Sequence, residues 1–217
     1  MSLDVGLGGD QAARPIDALE VGRTCIGGGS RDAGSVRRVG MSMTAGDIGI
    51  LIVRLAIGLT YAAHGAQKLL GWWGGPGFAG WTGGIVRMGL RPAPLWAAIS
   101  AGIELFGGLL LALGLLTPIA SAFLVAQSIY IVVRTHLPRG FWNSRGGIEF
   151  PLQLLAGSLL VVASGPGAIA IDPVLGIDLG PWWRAGSLAV AVVGALVAMA
   201  IARPRPQAQP PTPSASS

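Results

Sequence analysis

Cysteine and histidine are almost missing from this chain: one Cys and two His in 217 residues. Cys25 stands alone in a Gly-rich polar stretch, so there is no partner for an intrachain disulfide, a thiolate metal cluster or a covalently attached haem. The two histidines, His64 and His136, lie at the ends of apolar runs, a pattern too sparse to assign a b-type haem. No metal site is expected, and no Gly-rich dinucleotide loop is present. Charge is also scarce. Lys, Arg, Asp and Glu make up 12% of the residues against 52% hydrophobic ones. Nearly all the charges lie outside the apolar runs, so the net charge of +5 describes loops and tails rather than a basic face that tracks nucleic acid. Nucleic acid is therefore excluded as a partner.

The sequence does contain hydrophobic runs too long for the core helices of a soluble domain, which makes a lipid bilayer the expected solvent. Residues 1–43 mix Gly, Ser, Asp and Arg without apolar periodicity and lack the continuous hydrophobic region of a secretory signal. They read as a disordered segment, and Met41 and Met43 offer an alternative start just before the first span. Asp47 is expected to cap a helix running to about Leu70, long enough to cross ~30 Å of hydrocarbon. Between Gly71 and Arg91, Trp72, Trp73, Phe78 and Trp81 among glycines suit the headgroup level. There, Trp81, Ile85 and Met88 share one face of a short interfacial helix. Pro92 and Pro94 open a second span, to about Leu116. Thr117 as N-cap and Pro118 at the first helical position open a third, to about Thr135, so these two spans form a tight antiparallel hairpin. A fourth span runs from about Ile148 to Ser164, where Gly165-Pro166-Gly167 stops it. A fifth apolar run covers Ala185 to Ala202, and the Pro/Gln/Ser-rich tail 203–217 reads as disordered. The expected fold is an all-α membrane protein, a four-helix transmembrane bundle with a fifth C-terminal transmembrane helix. Lys68, Arg87, Arg91, Arg134, Arg139, Arg145, Arg203 and Arg205 collect on one side, which places both large loops and the C-terminus in the cytoplasm.

Two layers of polar residues fall within or beside the spans. Arg54 and Glu104 lie inside the first and second spans. A charge at the bilayer centre costs at least ~2.5 kcal/mol on insertion scales, so such residues face protein and pair. Helical rise puts the two within roughly 6 Å in depth, predicting an Arg54–Glu104 ion pair joined by Gln127. Such a pair fixes helix register or forms a proton or ligand site. The second layer gathers Tyr61, His64 and Lys68 on one sector of the first span with His136, Glu149 and Gln153 and the Trp72-Trp73 loop. A His beside a carboxylate at an interface, flanked by aromatics, suits a quinone headgroup; ordinary interfacial anchoring accounts for the same residues.

One ordered series of motifs is more specific than any of its parts. It runs from Arg54 and Gly58 through His64-Gly65, Lys68 and Gly71-Trp72-Trp73-Gly74-Gly75-Pro76-Gly77. It continues with Gly89-Leu90-Arg91-Pro92, Glu104-Leu105-Phe106-Gly107-Gly108 and Gly114-Leu115-Leu116-Thr117-Pro118. It ends with His136, Gly140-Phe141-Trp142-Asn143, Gly146-Gly147-Ile148-Glu149 and Gly165-Pro166-Gly167 before Asp172. In this order the segments resemble the DoxX family of small bacterial membrane proteins. The resemblance implies a four-helix membrane domain over residues 44–176, with residues 177–202 an added helix that departs from the family pattern. DoxX proteins are named for similarity to a subunit of thiosulfate:quinone oxidoreductase, in which thiosulfate is oxidised to tetrathionate and electrons pass to quinone. The resemblance therefore implies a subunit in the bacterial cytoplasmic membrane associated with quinone-linked oxidoreduction, with quinone as a non-covalent ligand, a soluble redox partner, and thiosulfate or another sulfur species as donor. The alternative is a non-catalytic scaffold or small permeation protein with a structural Arg–Glu pair.

Overall fold

A computed structural model describes residues 43–202; the expectations for Cys25, the N-terminal segment and the tail from Arg203 lie outside the described residues. Every regular element among the described residues is helical. Besides short 3-10 turns at Trp72–Gly74 and Asn143–Arg145, they are in chain order α1 (Ala45–Leu70), α2 (Gly77–Arg87), α3 (Ala93–Leu113), α4 (Thr117–Arg139), α5 (Glu149–Ser164), α6 (Ile171–Val174) and α7 (Pro181–Ile201). Four of them, α1, α3, α4 and α7, are long and apolar enough to cross a membrane. The apolar helix α5 has 16 residues, about 24 Å by helical rise.

Helix α5 nevertheless carries the chain across. Ser187 near the start of α7 donates to the Pro118 carbonyl at the start of α4, while Arg134 near the end of α4 donates to the Ala202 carbonyl just beyond α7. The two helices are therefore parallel, and the segment between them must run back across once. Side-chain polarity is inverted relative to a water-soluble bundle. Ile52, Leu59, Phe106, Leu109, Val190 and Leu196 face outward, while Arg54, Glu104, Ser121, Ser128 and Ser158 are buried. Lipid accepts the first group and rejects the second, so this is a multi-pass membrane protein.

Helix ends are set by local chemistry, with two departures from expectation. Helix α1 is capped by Thr44 rather than Asp47: the Thr44 hydroxyl accepts from the Asp47 N–H, and the Asp47 carboxylate accepts in return from the Thr44 N–H. At α4 the N-cap position is Leu116, in the left-handed region at φ 49°, not Thr117. The capping function is supplied from a distance. Asp172 accepts from Leu116 N at 2.7 Å and Thr117 N at 2.9 Å, so a carboxylate sits on the positive end of the helix. Pro94, as anticipated, and Pro151 fall in first turns, where no N–H is lost.

Helices α1 and α3 cross in van der Waals contact. A Cβ on Gly58 would lie 2.6 Å from the Gly108 carbonyl oxygen and 2.7 Å from Ala112 N, and one on Gly65 would collide with Ala101 and Leu105. Small residues let the backbones meet where lipid gives no hydrophobic push between helices. The same contacts fix register, placing Gly65 level with Glu104 and Arg54 level with Gly114. Helix α2 lies against α1 and α3 with Ile85 buried and Trp81 half-buried, the face expected from their spacing. Helix α4 is central, packing on α5 on one side and α7 on another.

Candidate functional site

The register set by the glycines decides which charges meet. Arg54 and Gly65 are eleven residues apart, about 16 Å along α1, so Arg54 lies far from Glu104 and their expected ion pair does not form. Glu104 is instead level with the last turns of α1. There the Lys68 ammonium reaches back to Glu104 Oε1 at 2.5 Å. Gln127 on α4 donates its amide to the same oxygen at 2.6 Å and to the Ser100 carbonyl at 3.1 Å. The expected participation of Gln127 is thus observed, with Lys68 in the position assigned to Arg54. Helical rise alone cannot give this pairing, because the close α1–α3 crossing offsets the two helices.

Glu104 is 2% exposed and sits in a wide, five-residue π turn, Ile103–Gly107, within α3. Such a turn loosens the backbone ladder beside it, and there the Ser100 carbonyl takes the Gln127 amide. Trp81 closes the cluster from α2: its ring centroid is 4.2 Å from the Lys68 nitrogen, and its indole N–H donates to Ser100 Oγ at 2.7 Å. The ammonium is thereby held between a carboxylate and the negative face of an indole. One carboxylate oxygen, Glu104 Oε2, is buried with no hydrogen-bond partner among the described residues. One helix turn further into the bundle, the Tyr61 hydroxyl meets Ser128 Oγ at 2.5 Å.

Arg54, 1% exposed, serves the opposite end. Its guanidinium donates to the carbonyls of Pro166, Ile169 at 2.8 Å and Ala112 at 3.4 Å. Free carbonyls at the end of α3 and in the segment after α5 attract a cation with several forked donors. Asp47 accepts from Ala168 N at 2.8 Å, and Asp172 caps α4. Together, Asp47, Arg54 and Asp172 tie residues 166–172 over the helix ends.

The second layer does not gather around one point. His64 stands edge-on to Phe150 with ring centroids 5.6 Å apart. His136 Nδ1 is 2.7 Å from the Gly146 carbonyl, and Glu149 accepts from Asn143 N at 3.0 Å, so both brace their own connection between α4 and α5. Gln153, Trp72 and Trp73 are exposed. Tyr61 and Lys68 belong to the bundle interior. Trp81 and Ser100 were not singled out as site residues. Their signal was helical: Ser100 stands one turn before Glu104, and Trp81 precedes Ile85 on the buried face of α2.

Beside the polar cluster lies an apolar crevice of about 890 Å³ between α2, α3, α4 and α7. Trp81, Ser100 and Gln127 belong both to its wall and to the Glu104 cluster.

The DoxX family model matches residues 49–137. Rv3486 of Mycobacterium tuberculosis, an uncharacterized membrane protein, is 29% identical over 133 residues, covering 57% of this chain and 78% of that protein. CatD of Bacillus subtilis, whose name assigns it provisionally as an oxidoreductase, is 31% identical over 128 residues, covering 58% of this chain and 87% of CatD. The chain belongs to the DoxX family. No solved structure gives a significant match. Arg54, Tyr61, Lys68, Trp81, Glu104 and Gln127 all fall inside the segment matched by the DoxX model, whereas Asp172 and α7 fall outside it. The buried polar cluster is therefore built wholly from the DoxX segment, and the far wall of the crevice is not.

Proposed function

We propose that this DoxX-family protein is an integral subunit of a quinone-linked oxidoreductase complex in the bacterial cytoplasmic membrane, receiving electrons from a soluble redox partner that oxidises thiosulfate or a related sulfur species. The observation that carries the proposal is the Lys68–Glu104–Gln127 cluster under Trp81. A quinone takes up protons with its electrons, and a buried carboxylate with one uncommitted oxygen, set against an ammonium and bonded to Gln127 in the wall of an apolar crevice, is suited to pass them. Lys68 would hold negative charge as it develops, and Gln127 would orient the carboxylate. The oxidoreductase name of CatD supports the same class of activity. The chain supplies no redox group of its own in this scheme; electrons come from the partner.

The test is reconstitution in liposomes containing quinone, with the co-purifying partner and thiosulfate, following quinol formation. Glu104→Gln is isosteric and removes the titratable group, and it should lower turnover at least about ten-fold, in the range of lost acid–base catalysis. His64→Ala, whose ring touches only Phe150 among the contacts described, should have a smaller effect. Turnover in Glu104→Gln equal to that of the unaltered chain would sink the assignment.

A non-catalytic scaffold is favoured by one observation, the Asp47–Arg54–Asp172 network, which ties a connecting segment to the ends of α1, α3 and α4. On that reading, replacing Lys68 and Glu104 together by apolar residues leaves partner binding intact and no redox activity is found in the unaltered complex.

A further inference from the structure

The connection between α4 and α5 is held in one shape although its side chains are exposed. It closes on itself through its backbone: Ile148 N donates to the Gly140 carbonyl at 3.0 Å, Glu149 N to Phe141 at 2.9 Å and Gly147 N to Trp142 at 3.0 Å. The His136 ring and the Glu149 carboxylate brace it further through Gly146 and Asn143. Its path requires glycine. Gly140 has φ 84° and Gly146 φ 75°, and a Cβ on Gly147 would lie 2.4 Å from the Gly140 carbonyl oxygen. This frame carries Phe141 and Trp142, 50% and 61% exposed, with ring centroids 5.1 Å apart and edges to faces. Arg139 and Arg145 are exposed on the same frame.

These two arginines differ from those that serve the fold. Arg54, Arg134 and Arg184 donate to backbone carbonyls, whereas Arg139 and Arg145 have no such acceptor among the described residues. Nor do they have a counter-charge. The ion pair among the described residues is Lys68–Glu104, and Glu149 is committed to Asn143 N. Arg139 packs against the residue next to Arg145, since a Cβ on Gly146 would lie 3.2 Å from Arg139 Nη1. Two like charges near each other on a fixed frame favour an anion beside them.

Depth says which anion is at hand. The 23 residues of α4 and the 16 of α5 span about 34 and 24 Å by helical rise, on either side of the ~30 Å hydrocarbon thickness. The connection makes up that difference, so it lies among the headgroups, where exposed aromatic rings are also at home. The anions there are lipid phosphates.

We propose that this connection is a docking site for an anionic phospholipid. The guanidinium forks of Arg139 and Arg145 take the phosphate oxygens, and Phe141 and Trp142 cover the glycerol and the first methylenes of the acyl chains. Because the frame is already ordered, little conformational entropy is lost on binding. A zwitterionic lipid offers the same phosphate, but its own cation opposes the two guanidinium groups, so net negative charge sets the preference. The site is independent of the redox reading above.

The experiment uses the full chain, purified in detergent, delipidated and titrated with diphosphatidylglycerol or with phosphatidylcholine of the same acyl chains. The thermal unfolding midpoint gives the apparent affinity, because a ligand of the folded state raises it with concentration. Diphosphatidylglycerol should raise the midpoint saturably, and phosphatidylcholine much less. Arg139→Gln combined with Arg145→Gln should weaken diphosphatidylglycerol binding at least about ten-fold, the value of one or more charge-assisted hydrogen bonds. Arg87→Gln combined with Arg91→Gln removes the same charge from two other exposed positions and should weaken it no more than about three-fold. Equal weakening by the two double variants would trace the effect to the general charge of that face and overturn the site. Equal stabilisation by the two lipids, or displacement of the lipid by inorganic phosphate at the same phosphate concentration, would also overturn it. If the Arg139/Arg145 double variant keeps its lipid affinity and instead loses a co-purifying acidic protein, the surface serves that protein and the lipid proposal falls.

Discussion

Lys68 and Glu104 illustrate why a buried ion pair is poor evidence of stabilisation on its own. Each charge is expensive in lipid, and each is tolerated because the other, the Gln127 amide and the Trp81 face surround it. Removing one member leaves the other without compensation. Glu104→Ala should therefore destabilise the protein by about 3–5 kcal/mol, the usual cost of breaking a buried pair, read as a lower midpoint in denaturant titration of the detergent-solubilised chain. Lys68→Met combined with Glu104→Leu should recover most of that loss, because apolar packing replaces both costs at once. If the double variant is as unstable as the single one, the pair is needed for folding in a way that charge balance does not explain. Asp172 works differently. It satisfies two backbone N–H groups at the start of α4 and lies beside Arg54. Asp172→Ala should cost about 1–2 kcal/mol, within the range measured for lost helix caps, and should increase protease sensitivity in residues 165–176.

At the scale of elements, the α1–α3 crossing governs everything else. Gly58 and Gly108 each leave space for the other helix's backbone, and a Cβ on Gly108 would lie 2.5 Å from both Ala62 N and the Gly58 carbonyl oxygen. Backbone cannot withdraw as the tip of a long side chain can. Gly108→Val should push the helices apart, cost at least the 1–3 kcal/mol typical of overpacking, and pull Glu104 out of reach of Lys68. The observable consequence is loss of stability together with loss of any Glu104-dependent activity, whereas Gly49→Val, whose Cβ meets nothing within 4 Å, should change neither. Helix α7 is attached by a narrower seam: Ala191 and Ala195 are buried while Val190, Val193, Leu196 and Val197 face outward. That seam on α4, with Arg184 donating to the Ala163 carbonyl at the end of α5, leaves room between α7 and α3 for the crevice.

For the molecule as a whole, five crossings put the two ends of α4 and α7 on matching sides, and the distribution of Lys and Arg predicts which side is which. Trp73, Arg145 and Ala202 share the Lys68 side, and Gly176 the Arg54 side. The positive-inside bias predicts a cytoplasmic location for the Lys68 side. With Cys25 replaced by Ser, single cysteines introduced at Trp73 and Gly176 should show opposite accessibility to a membrane-impermeant thiol reagent in intact cells, Gly176 labelling and Trp73 not. The reverse pattern would invert the orientation and move the proposed partner to the other face.

The helical architecture was legible in the sequence because lipid imposes one requirement on every residue of a span, and long apolar runs bounded by Pro, Gly and Trp meet it in only one way. The same reasoning marked Arg54, Glu104 and Gln127 as interior groups, since each breaks such a run, and put Lys68 in the interfacial layer at the edge of its span. Composition alone did not reveal which of them touch. Helix–helix register depends on a few close backbone contacts, here Gly58 with Gly108 and Gly65 with Leu105, and a slide of two or three turns exchanges one ionic partner for another. Tertiary structure therefore decided that Lys68 rather than Arg54 neutralises Glu104, that Asp172 rather than Thr117 caps α4, and that His136 and Glu149 stay within their own connection. It also produced the crevice, which no single segment encodes. It arises because α7 meets α4 along one strip of small residues and leaves the adjoining face of α3 uncovered.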